Sequence, residues 1–206
     1  MNGCQAFSDD EIIDLTEYFQ KESKRNSLLF HMGILTGLRI SELLSIKVVD
    51  IYTTTGIVKD ELQISACNIK GKKSGRTIKI GLLLRPILED YYPYIKNIES
   101  NYLFHGRKNQ LCSRQASNII NEACVSIGRT KKMGTHTFRK TYAKFIFEAS
   151  GRDLLTTQKA LGHKCINNTV LYLAVDREAV DELVINLGVT PLKAQELKEM
   201  NLLDLT

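Results

Sequence analysis

The sequence has no tryptophan, and only 3 prolines and 13 glycines in 206 residues. So little Pro and Gly excludes a collagen-like repeat and a Pro/Gly-rich disordered chain. No apolar run approaches the roughly 18 residues that cross a bilayer. The opening Met1-Asn2-Gly3-Cys4 has no basic stretch leading into an apolar one, so no signal peptide is read. The five cysteines (Cys4, Cys67, Cys112, Cys124, Cys165) are odd in number and scattered, without a C-x-x-C pair. They suggest neither a disulfide framework nor a zinc ribbon, and a reduced cytoplasm is expected. There is no G-x-x-x-x-G-K-[ST] phosphate loop, and His163 with Cys165 is too small a set for a zinc site. What remains is ordinary globular composition, 43% hydrophobic and 25% charged. That length predicts one domain, able to bury a core without staples.

The net charge of +5 conceals a segregation. Residues 1–20 carry five acids and no Lys or Arg, and residues 173–206 carry seven acids against three bases. The intervening segment holds 25 bases against 11 acids, a local charge of +14. Such a middle reads either as one cationic face for a polyanion or as a solvated surface between acidic ends.

Ser8-Asp9-Asp10-Glu11 has the pattern of a capping box opening a helix. A second apolar helix runs from Leu28 and stops near Gly37, and Ile40–Ile46 reads as a short third. Val48–Tyr52, Leu62–Ala66 and Thr77–Ile80 read as strands, the last two joined by the polar turn Lys70-Gly71-Lys72-Lys73-Ser74-Gly75. Helices are expected over 82–98, 114–126, 136–149, 153–161 (with Gly162 as the stop) and 167–173, followed by two amphipathic pieces in the tail. The fold class is therefore mainly α with a small three-stranded antiparallel sheet, an α+β arrangement without a visible linker.

Four local patterns carry chemistry. In His136-Thr137-Phe138-Arg139 the first and last residues share a helix face, forming either a phosphate clamp at a helix start or a surface pair. In Thr36-Gly37-Leu38-Arg39-Ile40-Ser41-Glu42 an arginine between apolar neighbours needs an anion, either a ligand or Glu42 one turn on. In Leu161-Gly162-His163 a glycine ends a helix and presents a histidine, and Tyr172 follows nine residues later. Taken alone, Tyr172 reads as a core or interface aromatic and His163 as a packed ring. The Lys70–Arg76 turn reads as a solvated hairpin tip or a contact to nucleic-acid backbone.

In this order and spacing, TGLRISEL, a lysine-bearing hairpin, HTFR, LGH and the later tyrosine resemble the tyrosine recombinase (phage integrase) family. The likeness is to that family's C-terminal catalytic domain and spans about residues 7–175. It implies that Tyr172 is the nucleophile toward a DNA phosphodiester, leaving a 3′-phosphotyrosyl link. Arg39 and Arg139 correspond to the arginines that grip the non-bridging oxygens, His136 to a proton-transfer group, and His163 to a donor to the same phosphate. Lys70 matches the hairpin lysine that protonates the leaving 5′-oxygen, with Lys72 and then Lys73 as alternative registers. Glu42 is expected to orient Arg39. The resemblance implies no metal and no nucleotide cofactor.

The expected partners are double-stranded DNA and further copies of the chain, as a tetramer on DNA, with no membrane. The expected setting is the cytoplasm of a bacterium or of a phage-infected cell, on the nucleoid. The chain reads as one catalytic domain over 1–206, with no N-terminal core-binding domain and with residues 176–206 as a tail that packs on a neighbouring protomer or back on its own domain. It reads either as a naturally minimal recombinase or as a fragment of a longer integrase. A type IB topoisomerase-like nicking-closing enzyme and a catalytically silent DNA-binding regulator are the competing readings.

Overall fold

The Ser8 side chain accepts from the Glu11 backbone N–H at 3.3 Å, and the Glu11 carboxylate accepts from the Ser8 N–H at 2.8 Å, closing the box that opens helix α1 (Asp9–Glu22). The computed structural model describes residues 4–64, 75–107, 109–130, 134, 136–163 and 165–173, without the side chains of Arg76, Leu171 and Tyr172. Among these residues the chain continues through α2 (Lys24–Thr36), α3 (Ile40–Leu44), α4 (Val48–Ile51), strands β1 (Glu61–Ile64) and β2 (Arg76–Lys79), α5 (Leu84–Ile95), α6 (Ser113–Ser126), α7 (Thr137–Ala149), α8 (Leu154–Leu161) and α9 (Ile166–Leu173).

From Leu28 on, helix α2 is mostly apolar and its residues are largely buried, as befits an interior helix. Its Leu28, Leu29 and Met32 enter one core cluster with Leu43, Leu62, Leu88 and Phe104. Its Phe30 and Ile34 enter a second cluster with Phe7, Leu15, Phe19 and Phe138. Helices α1, α5 and α7 pack around it. The approach of α7 is close because α2 offers glycine: a Cβ on Gly33 would overlap the Phe138 ring, and one on Gly37 the Tyr142 ring.

The described sheet has two strands, not the three expected. β1 and β2 pair antiparallel from Glu61↔Lys79 to Ile64↔Arg76. Val48–Tyr52, expected as the first strand, is instead a turn of helix over Val48–Ile51 with Tyr52 as its C-cap. The Asp50 carboxylate accepts from the Lys47 N–H at 2.8 Å, and the Tyr52 N–H reaches the Val48 carbonyl at 3.0 Å. Burial agrees with this: Val49 is 67% exposed while Ile51 is fully buried, although alternate residues of a strand would share a face. Local carboxylate chemistry outweighed the β-branched run. The connection from Ile64 to Gly75 lies outside the described residues. No described helix is long and apolar enough to cross a membrane.

Candidate active site

Gly37 ends α2 in the left-handed region, φ 58°, where its lack of a Cβ is needed both for the turn and for the close approach of Tyr142. The chain then reverses and Arg39 becomes the N-cap of α3. Glu42, one turn on, is 1% exposed; one carboxylate oxygen accepts from Arg39 Nη1 at 3.0 Å and the other from the Arg39 backbone N–H at 2.9 Å. Glu42 is thus the partner expected for Arg39. The Arg39 side chain stays 37% exposed.

Arg139 lies deeper. It is 1% exposed, and bonds from its two terminal nitrogens to backbone carbonyls offset the cost of burying the charge. Nη1 donates to the Gly37 carbonyl at 2.5 Å, and Nη2 donates to the Leu161 carbonyl. These two carbonyls stand two residues before Arg39 and two residues before His163. One side chain therefore ties together the three separate sequence motifs that supply the candidate site. Sequence inspection gives no sign of this bracing role.

Helix α8 starts on Asp153, whose carboxylate accepts from the Leu155 and Thr156 N–H groups, and stops at Gly162 with φ 64°. The His163 N–H then donates to the Gln158 carbonyl at 3.1 Å, and the Gln158 side-chain amide donates to the His163 carbonyl at 3.1 Å. Its Nδ1 lies 3.0 Å from Thr169 Oγ1 on α9. Gln158 and Thr169 were not legible as site residues, because a helical Gln or Thr without its partner in view is generic.

His136 caps α7 and is exposed as a residue. Partial removal of its ring from water holds the imidazole pKa below its ordinary value, and the positive charges of Arg139, Arg39 and Lys140 push the same way. Such a group stays neutral near neutrality and can accept a proton. The shared field also shows that HTFR and TGLR meet in space. Lys140 is a third cation at this corner that the motif reading passed over.

Lys70, Lys72 and Lys73 lie outside the described residues, although the strands on either side of them pair as a hairpin. Tyr172 falls within the backbone of α9, one turn after Thr169, and its side chain lies outside the described residues. Asn167 and Asn168 lie inside α9, and the Asn168 N–H donates to the Cys165 carbonyl. Among the described residues no group of three His, Cys, Asp or Glu side chains is placed to hold a metal ion.

Residues 5–179 match the model of the phage integrase family. The chain is 31% identical over 172 residues to a probable integrase/recombinase YoeC of Bacillus subtilis, covering 82% of this chain and 88% of that one. It is 30% identical over 185 residues to the tyrosine recombinase XerD of Oceanobacillus iheyensis, covering 85% of this chain and 59% of that protein. The tyrosine recombinase XerH of Campylobacter jejuni is 29% identical over 168 residues, 78% of this chain and 44% of that one. The chain thus spans most of the YoeC length but only about half of these Xer relatives. Among solved structures, the XerA recombinase superposes with a TM-score of 0.72 at 20% identity, over 90% of this chain and 65% of that one. A post-cleavage complex of XerH with its palindromic difH substrate gives 0.66 at 21% identity, over 87% and 51%. At these identities the likeness is one of fold.

Proposed function

Since the chain belongs to the phage integrase family of tyrosine recombinases, we propose that it is a site-specific DNA recombinase working through a 3′-phosphotyrosyl intermediate. The observation that carries this reading is the Arg139 brace, which holds the Arg39 turn and the His163 turn at fixed positions beside a His136 kept neutral. Rigid, pre-placed positive donors are what a pentacoordinate phosphorane needs, because they require no reorganisation when charge develops. A guanidinium suits both Arg39 and Arg139 better than an ammonium, since its planar fork can serve a protein carbonyl or carboxylate and a phosphate oxygen together.

In the proposed step the Tyr172 oxygen attacks phosphorus as its proton leaves to a neighbouring base, for which neutral His136 is suited. The bond from phosphorus to the tyrosyl oxygen forms and the bond to the 5′-oxygen breaks. That oxygen takes a proton from the hairpin lysine, with Lys70 the assigned donor and Lys72 the alternative. The phosphodiester energy is stored in the tyrosyl link, so rejoining by an incoming 5′-hydroxyl needs neither ATP nor a metal. His163 donates to a non-bridging oxygen, and Arg39 and Arg139 stabilise the equatorial charge.

Double-stranded DNA is the proposed partner. The +14 segment between residues 21 and 172 supplies the phosphate contacts that position the duplex without reading its sequence. Residues 176–206 are assigned to contacts between copies in a tetramer on that DNA, in the cell compartment that holds the chromosome.

The test is a nicked suicide duplex carrying the crossover site. Wild type leaves a protein–DNA adduct on a denaturing gel and Tyr172→Phe abolishes it; an adduct that persists in the variant refutes the nucleophile. Exchange between two sites, as against relaxation of supercoiled plasmid alone, separates recombination from nicking-closing.

A further inference from the structure

Thr169 has a hydroxyl that departs from the pattern of four other helical threonines. Thr16, Thr36, Thr141 and Thr157 each donate to the carbonyl four residues earlier, at 2.7, 2.6, 2.9 and 2.8 Å. Thr169 is fully buried and makes no such bond among the described residues; its hydroxyl lies 3.0 Å from His163 Nδ1. A hydroxyl has one proton to donate, and a proton sealed from water needs an acceptor. For Thr169 that acceptor is Nδ1, so Nδ1 carries a lone pair and the proton of the neutral ring sits on Nε2.

On the recombinase reading above, we propose that Thr169 is a positioning residue which sets His163 in its Nε2–H tautomer. The side of the ring away from α9 is then a hydrogen-bond donor at neutral pH without the imidazole being charged. A donor is what a phosphate oxygen requires, and the opposite tautomer would present a lone pair to it. The ring is held from two sides: Gln158 fixes the His163 backbone to α8, and Thr169 fixes the imidazole to α9. Tyr172 lies three residues beyond Thr169 on the same helix. The donor is therefore set only when the helix bearing the nucleophile is docked, which makes phosphate binding at His163 conditional on that docking.

The chain has four histidines, so each imidazole can be assigned in a long-range proton–nitrogen correlation spectrum of the whole ¹⁵N-labelled protein. At about pH 8, above the ordinary imidazole pKa of about 6.5, His163 should show the Nε2–H pattern. Thr169→Val, nearly isosteric, should lose that preference, and Thr169→Ser should restore it. On saturating suicide DNA, Thr169→Val should cleave about five- to tenfold more slowly, the scale of one neutral hydrogen bond, with DNA affinity unchanged and with serine rescuing the rate. An Nδ1–H ring in the wild type, or a tautomer unaffected by valine, overturns the proposal. The spectrum needs no DNA, so a covalent adduct surviving Tyr172→Phe would sink the recombinase reading and leave the tautomer result to stand on its own.

Discussion

Replacing Arg139 by lysine separates a residue that braces the fold from one kept for chemistry alone. The guanidinium is 1% exposed and holds the Gly37 and Leu161 carbonyls, which belong to different parts of the chain. An ammonium on a single stem reaches one of these acceptors and keeps the buried charge, so nothing is recovered from desolvation. Loss of one charge-assisted bond to a buried carbonyl costs about 1.5–3 kcal/mol. For a domain of this size about 2 kcal/mol lowers Tm by about 4–8 °C. With a urea slope of about 2–3 kcal/mol/M, the same loss shifts the urea midpoint by just under about 1 M. Arg39→Lys is the control: Arg39 pairs with Glu42 at 37% exposure, and its loss should cost under about 1 kcal/mol. Both variants should fail to form the covalent adduct, while only Arg139→Lys unfolds early. An Arg139→Lys protein as stable as wild type, or more so, would refute the bracing role.

Gly37→Ala should lose about 2–4 kcal/mol in urea titration, because a side chain at φ 58° is strained and its Cβ would overlap Tyr142; an unchanged midpoint would mean that α2 and α7 are not packed this closely. Stability should rise with pH between about 5.5 and 7.5. His31, lowered by burial, His105, lowered by burial and Arg25, and His136 all bind protons less well folded than unfolded. The unfolded chain therefore takes up more protons as pH falls below its ordinary imidazole value near 6.5, and folding is penalised there. Asp153, held low by its bond from Thr156, acts in the same direction but in the carboxylate range. A urea midpoint that is flat or higher at pH 5.5 would contradict the sign.

Much of the local structure was written in the order of residues. The Ser8 box, the Gly37 and Gly162 stops and the Asp153 start depend on groups within four positions of each other, and each forms where the sequence suggests. Val48–Ile51 misled because strand propensity is a weak preference and one Asp50 carboxylate closing on the Lys47 N–H was enough to make a turn of helix. The pairing of Arg39 with Glu42 is also local, three residues apart, and was equally readable.

By itself the sequence determined which residue types are available and in what spacing: two arginines, two histidines, a lysine-rich turn and a tyrosine, together with the charge that favours a polyanion. Only the tertiary structure decided what those groups do for one another. Arg139 meets Gly37 across 102 positions, a contact that exists because two glycines let α7 lie close on α2. The imidazole of His163 meets the hydroxyl of Thr169, which lies on α9. Spacing along a chain specifies neighbours on one element, whereas the burial of a charge and the tautomer of a ring depend on which elements close around them.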